Sequence, residues 1–226
     1  MTGKIKLVHS GGNSVSVAVP TNAPSASEVE FKLPQSDGSS GQALVTDASG
    51  NLSFASVAGG KILQVLTNST RDGVGSLSLS SALTFYDIPN QNLTITPSAT
   101  SSKILISFHQ MGETSNGSNQ YYMALKRAIS GGSTTTITAP SVGNRPGILT
   151  APLKTYEDVN RSTTPEFTIC AGYLDSPSTT SAITYTVQIA CQSASTTYYY
   201  NRTLEDGNYD SRERGLSWIT VQEVAA

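Results

Sequence analysis

Apolar and polar residues alternate with a period of two along most of this chain, in short runs at first and longer ones later. Ile5 and Leu7 alternate with lysines, Ser10-Gly11-Gly12-Asn13 supplies turn residues, and Val15, Val17 and Val19 alternate with small residues, which predicts a hairpin. Pro20 to Pro24 reads as a stiff connector. Val29, Phe31 and Leu33 alternate with Glu28, Glu30 and Lys32 and predict a further strand. In LPQSDGSSGQALVTDASGNLSF two turn clusters bracket the runs Ala43 to Thr46 and Leu52 to Phe54, a second hairpin. Residues 1 to 58 should thus hold about five short strands with few large apolar side chains. An isolated hairpin is marginal in water, so this segment is expected to find its core by association, three copies each lending one apolar edge.

Ala55 to Gly60 is a run of small residues, and from Lys61 the strands lengthen, which places a domain boundary between residues 58 and 61. Strands are predicted at Lys61 to Leu66, Leu83 to Ile88, Leu93 to Thr96, across SKILISF, at Tyr121 to Arg127, Ile137 to Ala139 and Phe167 to Leu174. Ile183, Tyr185, Val187, Ile189 and Cys191 form the longest inward row, and Tyr198 to Arg202 and Trp218 to Val224 complete the set. Residues 128 to 165 are weakly patterned and are expected to supply loops. The reading is an all-β chain: an N-terminal hairpin module over 1–58, then a jelly-roll-like β-sandwich over 61–226.

Composition sharpens this picture. Charged residues make up 13% of the chain, about half the usual share, while Ser and Thr contribute about a quarter, so hydroxyls rather than ions wet the surface. With a net charge of −2 and no block of Lys or Arg, there is no footprint for a phosphate backbone, and nucleic acid is not an expected partner. MTGKIKLVHS lacks an apolar run of signal-peptide length, and no stretch reaches the length of a membrane span, so cytoplasmic synthesis without membrane insertion is expected. EFTICAGYLD and AITYTVQIAC read as the two strands of a hairpin; paired through residues 175 to 182, they would set Cys170 near Val187 rather than Cys191, and no disulfide is expected.

Candidate chemistry is sparse. His9 and His109 lie in separate modules without converging ligands, no G-x-S-x-G context singles out a nucleophile, and neither a metal, a cofactor nor an enzymatic activity is expected. The densest carboxylate cluster is LEDGNYDSRERG, with Glu205, Asp206, Asp210 and Glu213 beside Arg212 and Arg214. Paired carboxylates can hydrolyse a glycosidic bond, but a glycosidase also needs a rigid cleft, and the expected form is a solvated loop. In the preceding Tyr198-Tyr199-Tyr200 run, alternation sends Tyr199 to the face opposite Tyr198 and Tyr200.

The ordered series GKIKLVHSGGNSVSVAVPTNAP, LPQSDGSSGQALVTDASGNLSF, KILQVLTNSTRD, LTITPSATSSKILISF, GNRPG, YLDSPSTTSAITYTVQIA, YYYNR and SWITVQEV resembles the tail-fibre-like structural proteins of tailed bacteriophages, especially marine phages of cyanobacteria. The resemblance spans nearly the whole chain. It implies a homotrimeric virion protein, attached to other virion proteins through its N-terminal module and projecting a distal sandwich that contacts a host surface glycan or protein. This chain is shorter than a usual tail fibre, so a head fibre, capsid decoration or tail-neck component with a purely structural role is the alternative. On the contact reading, Tyr199, Arg202, Asn208, Tyr209, Asp210 and Arg212 are the expected contact residues, because Tyr, Asn, Asp and Arg combine stacking with hydrogen bonding at wet interfaces.

Overall fold

Strands form almost wherever the period of two is sustained. The computed structural model describes residues 4–18, 22, 24, 28–47, 49–56, 61–70, 73–117, 119–152, 165–210 and 212–226, and no helix occurs among them. The strands are β1 (Lys4–Val8), β2 (Ser14–Ala18), β3 (Gln42–Thr46), β4 (Leu52–Ser56), β5 (Ile62–Ser69), β6 (Gly75–Leu79) and β7 (Tyr86–Ile95), followed by β8 (Lys103–Thr114), β9 (Tyr121–Ile129), β10 (Thr134–Ile137), β11 (Glu166–Asp175), β12 (Ile183–Cys191), β13 (Thr196–Tyr200) and β14 (Trp218–Val224). The chain divides into two compact units, Met1–Ala58 and Gly59–Ala226.

The first unit contains two antiparallel hairpins, β1-β2 and β3-β4. Their turns follow from sequence: Gly12 and Gly50 adopt positive φ, and Asp47 accepts bonds from the Ser49 and Asn51 amides and the Asn51 side chain. Residues 28–33 form no strand, so the expected five strands reduce to four. Lys32 instead makes a single parallel bridge to Asn51, with its amide donating to Gly50 O and the Leu52 amide donating to Lys32 O. Gly50, at φ +85°, permits this, because a Cβ there would strike the Glu30 carbonyl. Val29, Phe31 and Leu33 remain exposed, so their alternation marks no face buried within the chain. Not one of the described side chains in this unit is buried. The Pro20 to Pro24 connector and the 57–60 joint fall largely or wholly outside the described residues.

The second unit is a two-layered all-β body. One sheet runs β10-β9-β12-β7; the other has β8 at its centre, with β11 on one edge and β14 and β13 end to end along the other, flanked in turn by β5 and β6. Their inner faces share one core: Ile104, Ile106 and Phe108 of β8 and Ile219 and Val221 of β14 pack with Met123 and Leu125 of β9 and the β12 row. That row, Ile183 through Cys191 at every second position, is fully buried as its alternation predicts.

Four details depart from expectation. β11 and β12 do not pair; β11 joins β8 in one sheet and β12 lies between β9 and β7 in the other, so Cys170 has Phe108, not Val187, as its neighbour across the pair, and both cysteines are free and buried. A connection from residue 176 to 182 crosses between layers, and the turn residues that suggest a hairpin serve that crossing equally well. The predicted strands around 83–88 and 93–96 are one strand, β7, which tolerates Pro89 because it is an edge strand and accommodates Asn90 at φ 61° through a register shift against β12. GSLSL, too short and Ser-rich to stand out, forms β6. Within 128–165, β9 continues to Ile129 and β10 occupies Thr134–Ile137; residues 153–164 lie outside the described set.

Polar side chains tie the layers together at their margins. Asp175 on β11, buried, accepts two bonds from Arg127 Nη1 of β9 at 2.8 and 3.1 Å and one from the Tyr185 hydroxyl of β12 at 2.6 Å. Burial, reinforced by the bond to this carboxylate, pushes the Tyr185 phenol well above its usual range. Glu223 on β14, also buried, accepts from the Ser98 amide and hydroxyl, the Ser102 hydroxyl and Gln64 Nε2. Its pKa is held down to about 2: desolvation pushes the other way, but the hydrogen bonds from Ser102, Ser98 and Gln64 together outweigh it.

Candidate contact loop

Because β13 and β14 lie successively along one edge of β8, residues 201–217 must leave that edge and return to it. The departure and return are pinned. Asn201, buried and at φ 60°, donates its amide to Met111 O, while its Nδ2 donates to Thr70 O, Thr70 Oγ1 and Gly73 O at 3.1, 2.7 and 2.7 Å. The Ser217 hydroxyl donates to Asn201 Oδ1 and accepts from the Met111 amide, and Ser217 O accepts from the Thr70 amide. One buried cluster therefore fixes both ends of the excursion and also holds Thr70 and Gly73, which lie between β5 and β6. Asparagine suits this position because its short amide tolerates the left-handed backbone and offers two donors and an acceptor at once.

The loop above this base is braced by its own charges. The backbones of Arg202 and Arg214 form an isolated antiparallel β-bridge, and the Gly215 amide donates to Asn201 O. Arg214 donates to both Asp206 oxygens, at 3.0 and 2.9 Å from Nη2, and Arg212 Nη2 donates to Glu205 Oε2 at 2.9 Å. Each such exposed pair contributes only about 0–1 kcal/mol, but several together fix a short loop's shape. The turn at Gly207 to Arg212 is closed by Arg212 N donating to Tyr209 O, and it holds Tyr209 out with 70% of its surface exposed. The Arg212 guanidinium lies 5.8 Å from the Tyr209 ring centroid.

The six expected contact residues fall into two groups. Asn208, Tyr209 and Asp210 are exposed at the tip, with Arg212 half-buried beneath Tyr209. Tyr199 and Arg202 form a separate pair at the base: the Arg202 guanidinium stacks 4.5 Å from the Tyr199 ring and donates to the carbonyls of Gly75, Thr203 and Leu204, which holds the loop's stem. Tyr198 is buried in the core and Tyr200 packs against it, leaving Tyr199 on the opposite face as the alternation requires. Asn201, Ser217 and Thr70, which fix the loop, are not singled out by motif; the one available signal is an asparagine ending an aromatic strand run before a charge-rich segment.

Of the remaining candidates, His9 caps the first hairpin turn, its Nδ1 accepting from the Gly11 amide at 3.0 Å. His109 lies on β8 between two aromatic rings, Phe167 at 5.8 Å and Trp218 at 6.1 Å. No group of three or more His, Cys, Asp or Glu side chains converges on a possible metal position among the described residues. Glu205 and Asp206 each hold an arginine rather than facing one another across a cleft. No helix among the described residues is long and apolar enough to cross a membrane. No protein-family model matches the chain, and no curated protein matches it significantly.

Proposed function

We propose that this chain is a self-assembling structural protein of a bacteriophage virion, a short homotrimeric fibre whose sandwich unit presents the 202–216 loop to a host surface glycan or protein. The observation that carries the self-assembly is the first unit: two hairpins over more than fifty residues with no buried side chain among those described, and Leu33 still 77% exposed. Such hairpins gain their apolar burial only when other chains cover them, which is how fibre modules of this kind are built. The assignment to a virion rests on the resemblance of the ordered sequence segments to tail-fibre-like proteins. The jelly-roll reading draws support from strand order: with β5/β6 and β13/β14 each taken as one interrupted strand, the sheets run first-eighth-third-sixth and second-seventh-fourth-fifth.

The contact role rests on the tip geometry. A loop braced by ion pairs, with an exposed tyrosine and Asn208 and Asp210 beside it, loses little conformational freedom on binding, and a trimer presents it three times, so weak contacts add through effective concentration. The purified chain should scatter light as a trimer, and the triple substitution Tyr209→Ala, Asp210→Ala, Arg212→Ala should lower adsorption to host cells while leaving trimer size unchanged. Unaltered adsorption by the assembled triple variant returns the protein to a purely structural role as a decoration, head-fibre or tail-neck component. A monomer at micromolar concentration removes the fibre reading.

A further inference from the structure

The two outer faces of the sandwich unit differ sharply in chemistry. On the β10-β9-β12-β7 sheet the outer face is polar: Lys126 pairs with Asp87, Gln188 Nε2 donates to Asp87 at 2.8 Å, Thr136 donates to Gln188, and the Thr94 and Thr184 hydroxyls meet at 2.8 Å. These polar side chains cover the middle of β12, where Thr186 and Gln188 are each only 5% exposed. The outer face of the other sheet, across β11-β8-β14-β5, has the opposite character. The pairing registers place Leu174, Leu105, Gln222 and Val65 in one row across the four strands and Ile169, His109 and Trp218 in another. Leu174 and Val65 are each 55% exposed and Ile169 48%. Phe167, His109 and Trp218 stack in series across three strands. Between the two rows lies a row of hydroxyls, Ser107, Thr220 and Thr67, with Thr220 Oγ1 donating to Thr67 Oγ1 at 3.0 Å, and apart from His109 the ionisable side chains nearest in register, Lys103 and Glu166, lie at strand ends.

We propose that this face is the subunit interface of the sandwich unit, covered by a second copy of the same chain. The inference deepens the self-assembly reading above and rests on it. Three observations select a second copy as the occupant. The face carries no Lys, Arg, Asp or Glu at its centre that a foreign partner would have to match, and a charge-poor surface with exposed aliphatic and aromatic side chains is more typical of permanent self-interfaces than of transient partners. Four strands about 4.8 Å apart and about eight residues long span roughly 19 by 25 Å, a flat footprint of about 475 Å2, more than half of the roughly 800 Å2 per partner of a standard interface. The first unit, with no buried side chain among its described residues, independently calls for other chains. An assembly that covers the hairpins brings copies of the sandwich unit to high local concentration, so one event covers both apolar surfaces.

Trp218 is the only tryptophan in the chain, and it lies on this face at the start of β14, beside His109 of the central strand, so its fluorescence reports the proposed contact. The test uses full-length protein at pH 8, with light scattering for size and acrylamide quenching for Trp218 access. The expected result is an oligomer whose Trp218 emission is blue-shifted and weakly quenched, with Ile169→Glu/Leu174→Glu raising the quenching several-fold while the far-ultraviolet circular dichroism stays β. An oligomer whose Trp218 quenches as freely as in the chain dissociated by dilution leaves self-assembly standing and overturns this interface. Protection that persists in the double variant, or that arises only after another virion protein is added, also overturns it. A wild-type monomer overturns both readings. Should the double variant fail to fold, the wild-type comparison of assembled and diluted protein decides by itself.

Discussion

Replacing Glu223 by glutamine tests whether the polar tie at one end of the sandwich stabilises the fold. The carboxylate's four donors come from three residues in two segments: Gln64 on β5 and Ser98 and Ser102 in the connection between β7 and β8, all converging on β14. A folded pKa of about 2 against 4.5 corresponds to about 3 kcal/mol of preference for the ionised form. Solvent screening on the half-exposed Gln64 side lowers the realised value to about 2 kcal/mol. Glutamine keeps the shape but cannot keep the bonds. If its oxygen takes the Ser98 and Ser102 donors, its amide nitrogen faces Gln64 Nε2, donor against donor, and Gln64 cannot turn over without setting its oxygen against Thr96 O, to which Nε2 also donates at 2.8 Å. We expect Glu223→Gln to cost about 2 kcal/mol in urea unfolding at pH 7, a fall of roughly 4–8 °C in Tm for a unit of this size.

The pH dependence fixes the sign. A carboxylate whose folded pKa is depressed contributes its stability above the unfolded value of 4.5 and loses it as pH falls toward about 2. The difference between wild type and variant should therefore be constant from pH 7 to about 5 and shrink steadily below, while the other carboxylates, common to both proteins, cancel. A difference below about 0.5 kcal/mol at pH 7, or one that does not change between pH 7 and 2.5, would refute the assignment of this stabilisation to the ionised carboxylate.

Two further substitutions test the remaining polar ties. Asn201→Ala removes the donors to Thr70 and Gly73 and the acceptor for Ser217 and places alanine at φ 60°; a loss of about 2–4 kcal/mol is expected, with early proteolysis within 202–216 as the local readout, and Asn201→Gly should recover only the backbone part. Asp175→Asn leaves the half-buried Arg127 guanidinium without a charge partner and should cost about 3 kcal/mol, whereas Tyr185→Phe, which removes only one bond to the same carboxylate, should cost about 1 kcal/mol; equal losses would show that the ion pair is not the dominant part.

What could be read from the sequence follows from how locally each feature is determined. The β12 row and the Ile104-Ile106-Phe108 row were legible because one strand's alternation faces one core, and period and burial coincide. The alternation at Val29, Phe31 and Leu33 is just as regular, yet it forms no strand, because a pattern states which side chains share a face and not whether anything covers that face. The separation of β11 from β12 was illegible for a different reason: a seven-residue connection between two strands can close a hairpin or cross between layers, and only the long-range pairing of β11 with β8 decides. The loop's composition marked it as polar and charged, but its anchoring depends on contacts from Asn201 to Thr70 and from Ser217 to Met111, over a hundred residues apart in sequence.

The same distinction between pattern and cover orders the assembly. The sandwich unit has a full inner core within one chain, so its folding requires only intramolecular contacts. The hairpin unit has strands and turns but no buried side chain among its described residues, so on the proposed assembly its hairpins are marginal until another copy arrives, and their ordering is coupled to association. On the proposed assembly, a sandwich that folds first and carries one polar and one largely apolar outer face can orient incoming copies before the hairpins are in place, since only one of its two faces gains by being covered. Assembly would then run from the sandwich face toward the hairpins. That order would keep the exposed strand edges of β1 to β4 from pairing at random, because they would meet partners whose register the sandwich units have already restricted.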